Sequence, residues 1–358
     1  MSKFHDMRVA TVRPETRDAI VVTFDVPPSL AEAFHYTPGQ HLTLRTEIGG
    51  EDVRRSYSIC SGTDERELRI AIKRVQGGLF SNWANDFLKP GVSVEVMPPS
   101  GHFGVAPDAQ HSRNYAAFAA GSGITPILSQ IKTILAAEQG SRFTLVYGNR
   151  SSSSVMFREE LADLKDQYGE RLNLVHVLSR EQQDIDLFNG RIDRERCDAL
   201  LERWVDPKRI DVAFICGPMD MMEAVSASLL EHGVPKSAIK MELFATSLPK
   251  GPRPAHSHPV KGTEDCEVTV IQDGRVRQFT MPKNRDSVLD AGLGQGIEMP
   301  YSCKGGVCST CRCKVIDGEV DHDTNFALED YEIARGFRLS CQSYPVTDKL
   351  VLDFDQET

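Results

Sequence analysis

Apolar and polar residues alternate in short stretches over the first hundred positions. Val9 and Val12, Ile20-Val21-Val22-Thr23-Phe24, Leu42-Thr43-Leu44, Ile70-Ala71-Ile72 and Val92 to Val96 read as strands. Pro14, Pro27-Pro28, Pro38-Gly39, Gly49-Gly50 and Pro90-Gly91 punctuate them. Short strands at such intervals predict a small antiparallel barrel. The pattern changes near Ser112: Tyr115 to Ala120 is a continuous apolar run, as expected of a parallel strand covered on both faces. Further runs at 142–148, 172–178, 212–215 and 239–244, with helical stretches such as 191–205 between them, predict an α/β domain with a parallel sheet. From Ser247 to Gly262 the composition shifts to Pro249, Pro252, Pro254 and Pro259 among polar residues, a linker able to reach ~50 Å when extended. Beyond it, Glu267 to Ile271 and Val276 to Met281 flank Asp273-Gly274 as a hairpin, Ser287 to Gly294 reads as a helix, and Leu350 to Phe354 closes the chain as a strand. The expected plan is a barrel over 1–108, an α/β domain over 112–246, a linker over 247–262 and a third domain over 263–358.

Two glycine-rich junctions suit phosphate. Gln76-Gly77-Gly78 leads into a helix beginning near Leu79, and first-turn N–H groups backed by the helix dipole attract an anion, so Gly78, Phe80 and Ser81 are candidates. Gly121-Ser122-Gly123-Ile124-Thr125-Pro126 lies where the first parallel strand turns into a helix reaching about Ala137, the context a dinucleotide loop requires. The second parallel strand ends in Asn149-Arg150-Ser151-Ser152-Ser153-Ser154. An acid there would take the ribose 2'-hydroxyl of NADH, whereas a cation with hydroxyls accommodates the 2'-phosphate of NADPH. Arg150 and Ser151 therefore favour NADPH. The serines can equally cap a helix starting near Val155, and arginine does not exclude NADH.

Cys303, Cys308 and Cys311 follow a C-x4-C-x2-C spacing, with Cys341 downstream, the pattern of a plant-type [2Fe-2S] cluster. Gly305 and Gly306 let the backbone fold over such a centre and aim N–H groups at its sulfurs. A structural zinc site prefers paired C-x2-C knuckles, of which there is one, and buried unmetallated thiols are the third reading. Cys313 lies two residues past Cys311 on an expected strand, on the same side, and spacing alone does not set it apart. His256 and His258 lie in the linker, which offers no fixed ligand cage.

At 358 residues the chain needs more than one core, and 40% hydrophobic with 26% charged residues is ordinary for a globular protein. The absence of a long apolar run argues against a membrane span or signal peptide, and nine cysteines in an odd count fit a reducing compartment, so a cytoplasmic protein is expected. A net charge of -10 argues against nucleic acid as partner. Residues 263–358 hold 18 acidic against 10 basic side chains, which reads either as a solvated surface or as a docking face for a basic acceptor.

Arg55-Ser56-Tyr57-Ser58 resembles the R-x-Y-S flavin motif of the ferredoxin-NADP reductase family, and Pro99 to Gly104 resembles its P-x-G-x-F turn. Cys216-Gly217-Pro218 resembles the family's C-G-P motif, and the last domain resembles the β-grasp ferredoxins of plants. Six motifs in this order resemble oxygenase reductases with a C-terminal ferredoxin. The resemblance implies that Arg55 binds the flavin pyrophosphate, Tyr57 lies against the ring and Ser58 faces its reactive edge, with Ile72, Gly78, Phe80 and Ser81 completing the flavin contacts. It implies that Gly121, Gly123, Thr125, Pro126, Arg150 and Ser151 receive the coenzyme, that Cys216, Gly217 and Pro218 shape the nicotinamide pocket, and that Glu242 and Phe244 line the hydride-transfer site. It leaves Cys313 out of the metal set and makes Cys303, Cys308, Cys311 and Cys341 the ligands. The implied activity passes electrons from NADPH through FAD and a [2Fe-2S] cluster to a di-iron oxygenase component. FMN in place of FAD, a Rieske or steroid hydroxylase acceptor, and a redox-sensing module are the alternatives.

Overall fold

The structure is a computed structural model that describes residues 3–244 and 259–356; the expected linker, with His256 and His258, lies outside the described residues up to position 258. Strands β1 (His5–Thr16), β2 (Ala19–Asp25), β3 (His41–Ile48), β4 (Glu51–Ser58), β5 (Leu68–Lys73) and β6 (Ser93–Val96) form a six-stranded antiparallel sheet in the order β4-β3-β6-β1-β2-β5. A bridge between Ile59 and Ile70, with the Cys60 N–H donating to the Arg69 carbonyl, brings the two edge strands together and closes the barrel. Alternate residues such as Val9, Val22, Leu42, Leu44, Ile70 and Val96 point inward and fill it. Helix α1 (Leu79–Phe87) follows β5 and contributes Phe80 and Ala84 to that core.

Strands β7 (Asn114–Ala120), β8 (Arg142–Asn149), β9 (Leu172–Leu178), β10 (Val212–Gly217) and β11 (Ile239–Leu243) make a parallel sheet in the order β11-β10-β7-β8-β9. Helices α2 (Ile124–Ala137), α3 (Arg158–Tyr168), α4 (Arg194–Arg203) and α5 (Met219–Glu231) connect them. The order reverses between β7 and β10, so the carboxyl ends of these two neighbours form the switch point at which such sheets bind ligands. The serines after β8 do not cap a helix at Val155. They form a short turn over Ser152–Ser154, because Val155, Met156 and Phe157 are drawn into the core, and α3 starts only after Phe157 has taken a left-handed conformation (φ 58°).

Barrel and parallel sheet belong to one compact unit, and the C-terminal domain to a second. The first unit is continuous because Ala19, Val21, Cys60, Ala71 and Phe103 of the barrel share a core with α2 and the sheet. Helix α2 carries the seam. Its buried Gln130 donates to the carbonyls of Pro38 (3.1 Å) and Phe103 (2.8 Å), and its Ser129 hydroxyl donates to the Ser61 carbonyl at 2.7 Å. Lys132, 5% exposed, contacts Glu160 of α3 and lies 2.8 Å from Glu65 of the barrel, while Arg69 reaches Glu160 at 2.8 Å and Glu65 at 3.1 Å.

In the second unit, β12 (Asp265–Gln272), β13 (Arg275–Pro282), β14 (Arg312–Asp317), β16 (Phe337–Leu339) and β18 (Lys349–Asp353) form a mixed sheet in the order β13-β12-β18-β14-β16, and β15 (Val320–His322) pairs with β17 (Ser343–Pro345). The β12–β13 hairpin turns at Asp273-Gly274, both left-handed. Helix α6 (Val288–Gly294) is capped by the Ser287 hydroxyl, which accepts the Asp290 N–H. A second short helix, α7 (Asp330–Ala334), and the strands β14 to β17 extend the simpler outline of one helix and a metal loop; each is only three to six residues long, too short for a periodic signal. Among the described residues no helix is long and apolar enough to cross a membrane.

Lys132→Met should weaken the seam, because Glu65 and Glu160 lose a buried counter-charge. Arg69 remains and both carboxylates keep some solvent, so the expected cost is about 2 kcal/mol. A thermal melt of the flavin-loaded protein should show a midpoint about 5 °C lower.

Candidate functional site

Ser58, the last residue of β4, is buried and its hydroxyl donates to Oε2 of Glu242 at 3.2 Å. Glu242 lies on β11, where parallel pairing sets it opposite Cys216 of β10. Three residues far apart in sequence thus meet where the barrel faces the carboxyl end of the sheet. Glu242 is only partly accessible and surrounded by protein, which pushes its carboxyl up to about 8 against the opposing pull of the Ser58 hydroxyl. Burial and the nearby Glu242 also push the Cys216 thiol well up, so it is a neutral packing group at pH 7 and not a nucleophile. Phe244 follows directly and packs, partly buried, on the shared core.

The loop after β7 touches the same spot. A Cβ on Gly123 would sit 2.2 Å from the Cys216 carbonyl oxygen, so only glycine lets the loop lie against the end of β10. Gly121 is left-handed (φ 53°), and its carbonyl accepts the Tyr147 hydroxyl at 2.8 Å. Thr125 and Pro126 are buried in the first turn of α2, with the Thr125 hydroxyl donating to the Ser122 carbonyl. Gly217 and Pro218 end β10 and open α5 beside this loop. The candidate residues Gly121, Gly123, Cys216, Gly217 and Pro218 are therefore drawn together at the switch point.

On the barrel, Arg55 is exposed, and Tyr57 packs its ring 5.7 Å from that of Phe80. Helix α1 opens at Gly78 with no side-chain cap, and an uncapped helix start is the kind of site a flavin pyrophosphate needs. Ser81 is less free than its sequence position suggests, because its oxygen already accepts the Val75 N–H at 3.1 Å. Ile72 and the Phe80 side chain lie inside the barrel core, and the Ile72 carbonyl accepts from Asn85. Neither side chain reaches the surface.

Beyond β8, Arg150 is exposed and Ser151 closes a reciprocal cap with Ser154. Ser152, next in line, gives both its N–H (2.7 Å) and its hydroxyl (2.9 Å) to Oε2 of Glu181, three residues past the end of β9. Nothing in the local sequence announces this carboxylate, because it comes from the neighbouring strand.

The cysteines pair. Cys308 donates to Cys303, which also receives the N–H groups of Gly305 (3.3 Å), Val307 and Cys308, and these donors push the Cys303 thiol down to about 6. Cys311 likewise donates to Cys341, whose thiol is lowered by that bond, by Gln342 and by the Gly306 N–H. The donating partners, Cys308 and Cys311, are pushed up. Gly306 is left-handed, and a Cβ there would meet the Thr324 carbonyl at 2.5 Å. Among the described residues no three His, Cys, Asp or Glu side chains come together as ligands of a single ion. Two sulfur pairs fit two irons, one pair each, better than one tetrahedral zinc. Cys313 is set apart: its thiol donates to the Arg338 carbonyl within the core.

Three domain families match in the order read from the sequence: an oxidoreductase FAD-binding domain over residues 6–104, an oxidoreductase NAD-binding domain over 118–227 and a 2Fe-2S iron-sulfur cluster binding domain over 270–346. The chain is 47% identical over 355 residues, 99% of both chains, to one of the subunits of the 1,2-phenylacetyl-CoA epoxidase of Escherichia coli (strain K12). It is 35% identical over 97% of its length, and 96% of the relative's, to the ferredoxin reductase component of the 3-ketosteroid-9-alpha-monooxygenase of Rhodococcus rhodochrous. Among solved structures, phthalate dioxygenase reductase shares the fold with a TM-score of 0.58 at 24% identity, covering 98% of both chains.

The raised carboxyl of Glu242 makes stability depend on pH. Between its ordinary value of 4.5 and about 8, the folded state holds a proton the unfolded state has released, so stability falls as pH rises, by at most about 1.4 kcal/mol per pH unit. Glu242→Gln removes this slope. Melting temperatures compared at pH 5 and pH 8 should show the variant gaining on the parent protein at the higher pH.

Proposed function

Because the chain belongs to the family of flavin and iron-sulfur oxygenase reductases, which pass electrons from NAD(P)H through FAD and a [2Fe-2S] cluster to an oxygenase component, we propose that NADPH is its donor and the di-iron oxygenase of a phenylacetyl-CoA epoxidase its acceptor. The observation that carries the acceptor is identity of 47% along 99% of both chains with a component of that epoxidase, against 35% with the steroid-oxidising relative. The setting is phenylacetate catabolism in the cytoplasm, in keeping with nine cysteines that form no disulfide among the described residues.

In this reading each group has a task set by its chemistry. The Arg55 fork and the open first turn of α1, from Gly78 to Ser81, hold the flavin pyrophosphate, while the Tyr57 ring, backed by Phe80 and the Ile72 layer, covers the isoalloxazine. Gly121, Gly123, Thr125 and Pro126 admit the coenzyme pyrophosphate, and Arg150 with Ser151 takes its 2'-phosphate. Cys216, Gly217 and Pro218 shape the nicotinamide pocket. Ser58, Glu242 and Phe244 line the contact with the flavin edge, where a neutral Glu242 keeps negative charge away from an incoming hydride. Cys303, Cys308, Cys311 and Cys341 hold the cluster. Bound FAD accepts a hydride and releases its electrons singly, and the cluster carries one at a time.

An anaerobic titration with NADPH, followed optically, tests the route, and turnover with the oxygenase component and phenylacetyl-CoA tests the acceptor. Loss of flavin colour followed by loss of cluster colour supports the electron path; failure to couple NADPH oxidation to the thioester substrate refutes the acceptor. Cys308→Ser should leave flavin reduction by NADPH intact and abolish transfer to cytochrome c, as stopped-flow absorbance would show. Arg150→Ala should raise KM for NADPH about tenfold while leaving that for NADH within about twofold, as steady-state rates with each donor would show.

A further inference from the structure

The end of β8 lacks an acid of its own, which is the feature that favours a phosphorylated coenzyme. The fold brings one there from elsewhere. β9 lies parallel to β8, and the pairing runs on past both strands, with Ser179 N–H donating to the Asn149 carbonyl at 2.9 Å and Arg180 N–H to the Arg150 carbonyl at 2.7 Å. This register delivers Glu181 to the serine turn, where one carboxylate oxygen takes both donors of Ser152. We propose that Glu181 sets the coenzyme selectivity, its carboxylate occupying the Ser152 donors for which the 2'-phosphate of NADPH must compete, and offering the 2'-hydroxyl of NADH an acceptor instead.

The inference rests on the coenzyme reading of this edge of the sheet. Its physical content is competition between two anions for the same N–H and O–H, with like-charge repulsion added while both are present. Glu181 is exposed, so swinging away costs it little, and the site remains open to NADPH at reduced affinity. Its carboxyl is held below the usual range by the Ser152 N–H and hydroxyl, so it is an anion throughout the neutral range. Arg150 and Ser151, joined by the Ser152 donors when these are released, thus pull toward NADPH while Glu181 pulls the other way, and the selectivity is their difference.

The test is calorimetric binding of 2',5'-ADP and of 5'-ADP to the full-length, flavin- and cluster-loaded protein, comparing the parent with Glu181→Gln, which keeps the side-chain volume and removes the charge. The expected result is 2',5'-ADP binding about fivefold tighter in the variant with 5'-ADP unchanged or weaker. If both nucleotides bind and their ratio is the same in parent and variant, Glu181 plays no part in selection and the inference fails while the coenzyme reading stands. If neither nucleotide binds either protein, the adenosine end of the coenzyme is not held here, and the reading beneath the inference falls with it. A KM ratio for NADPH over NADH that drops in step with the binding ratio would support the assignment; a ratio that moves with no change in binding would overturn it.

Discussion

Helix α2 fixes the relation between the barrel and the parallel sheet, and the working geometry of the first unit depends on it. Its amino end is the glycine loop that lies against Cys216, and one turn further on its side chains reach across to the barrel through Ser129, Gln130 and Lys132. Coenzyme loop and flavin barrel are therefore positioned by the same rigid rod. Movement of α2 by even an ångström would stretch the Gln130 bonds to Pro38 and Phe103 and open the apolar core the two sheets share. The Ser58–Glu242 contact sits at the far end of this seam and inherits its alignment from it.

This explains why the architecture was legible in the sequence and the seam was not. Strand periodicity, the continuous apolar run at Tyr115, the glycine junctions and the cysteine spacing are local signals, and each of those elements appears within a few residues of its expected place. Serine, glutamine and lysine in a core helix look like a solvated face until the partners are known. All three are buried here with their donors met by carbonyls of the barrel or by the carboxylates of Glu65 and Glu160. The same limit hid Glu181: a side chain brought in by register from the next strand leaves no trace in the segment it serves. The helix expected to start near Val155 begins three residues later, at Arg158, after Phe157 has taken a left-handed conformation.

Among the candidate residues, the local motifs proved more informative about the backbone than about side chains. Gly121, Gly123 and Gly306 are where they are because a Cβ or a right-handed φ would not fit, which sequence context already suggests. Ile72, Phe80 and Ser81 instead spend their side chains on the barrel's own packing and hydrogen bonding. Position in a motif does not separate a residue that touches a ligand from one that supports it, because both lie on the same short stretch.

The cysteines show how environment divides one residue type into two roles. Cys60, Cys216 and Cys313 are wholly buried with no cluster of donors around them, and burial pushes their thiols up, which keeps them neutral and inert. Cys341 is buried and Cys303 half-buried, yet a neighbouring thiol and converging N–H groups pull both down, toward the thiolate a metal requires. Burial alone would have made all of them hydrophobes; what distinguishes these two sulfurs is the thiol that donates to each, joined by backbone donors such as Gly305 and Gly306 where the loop curls. A left-handed Lys304 and Gly306 produce that curl, and the Lys304–Asp290 ion pair (2.8 Å) ties it to the first turn of α6. The curled loop and the paired sulfurs act together, and Cys313, on a regular strand two residues further along, lies outside the curl and is left to packing.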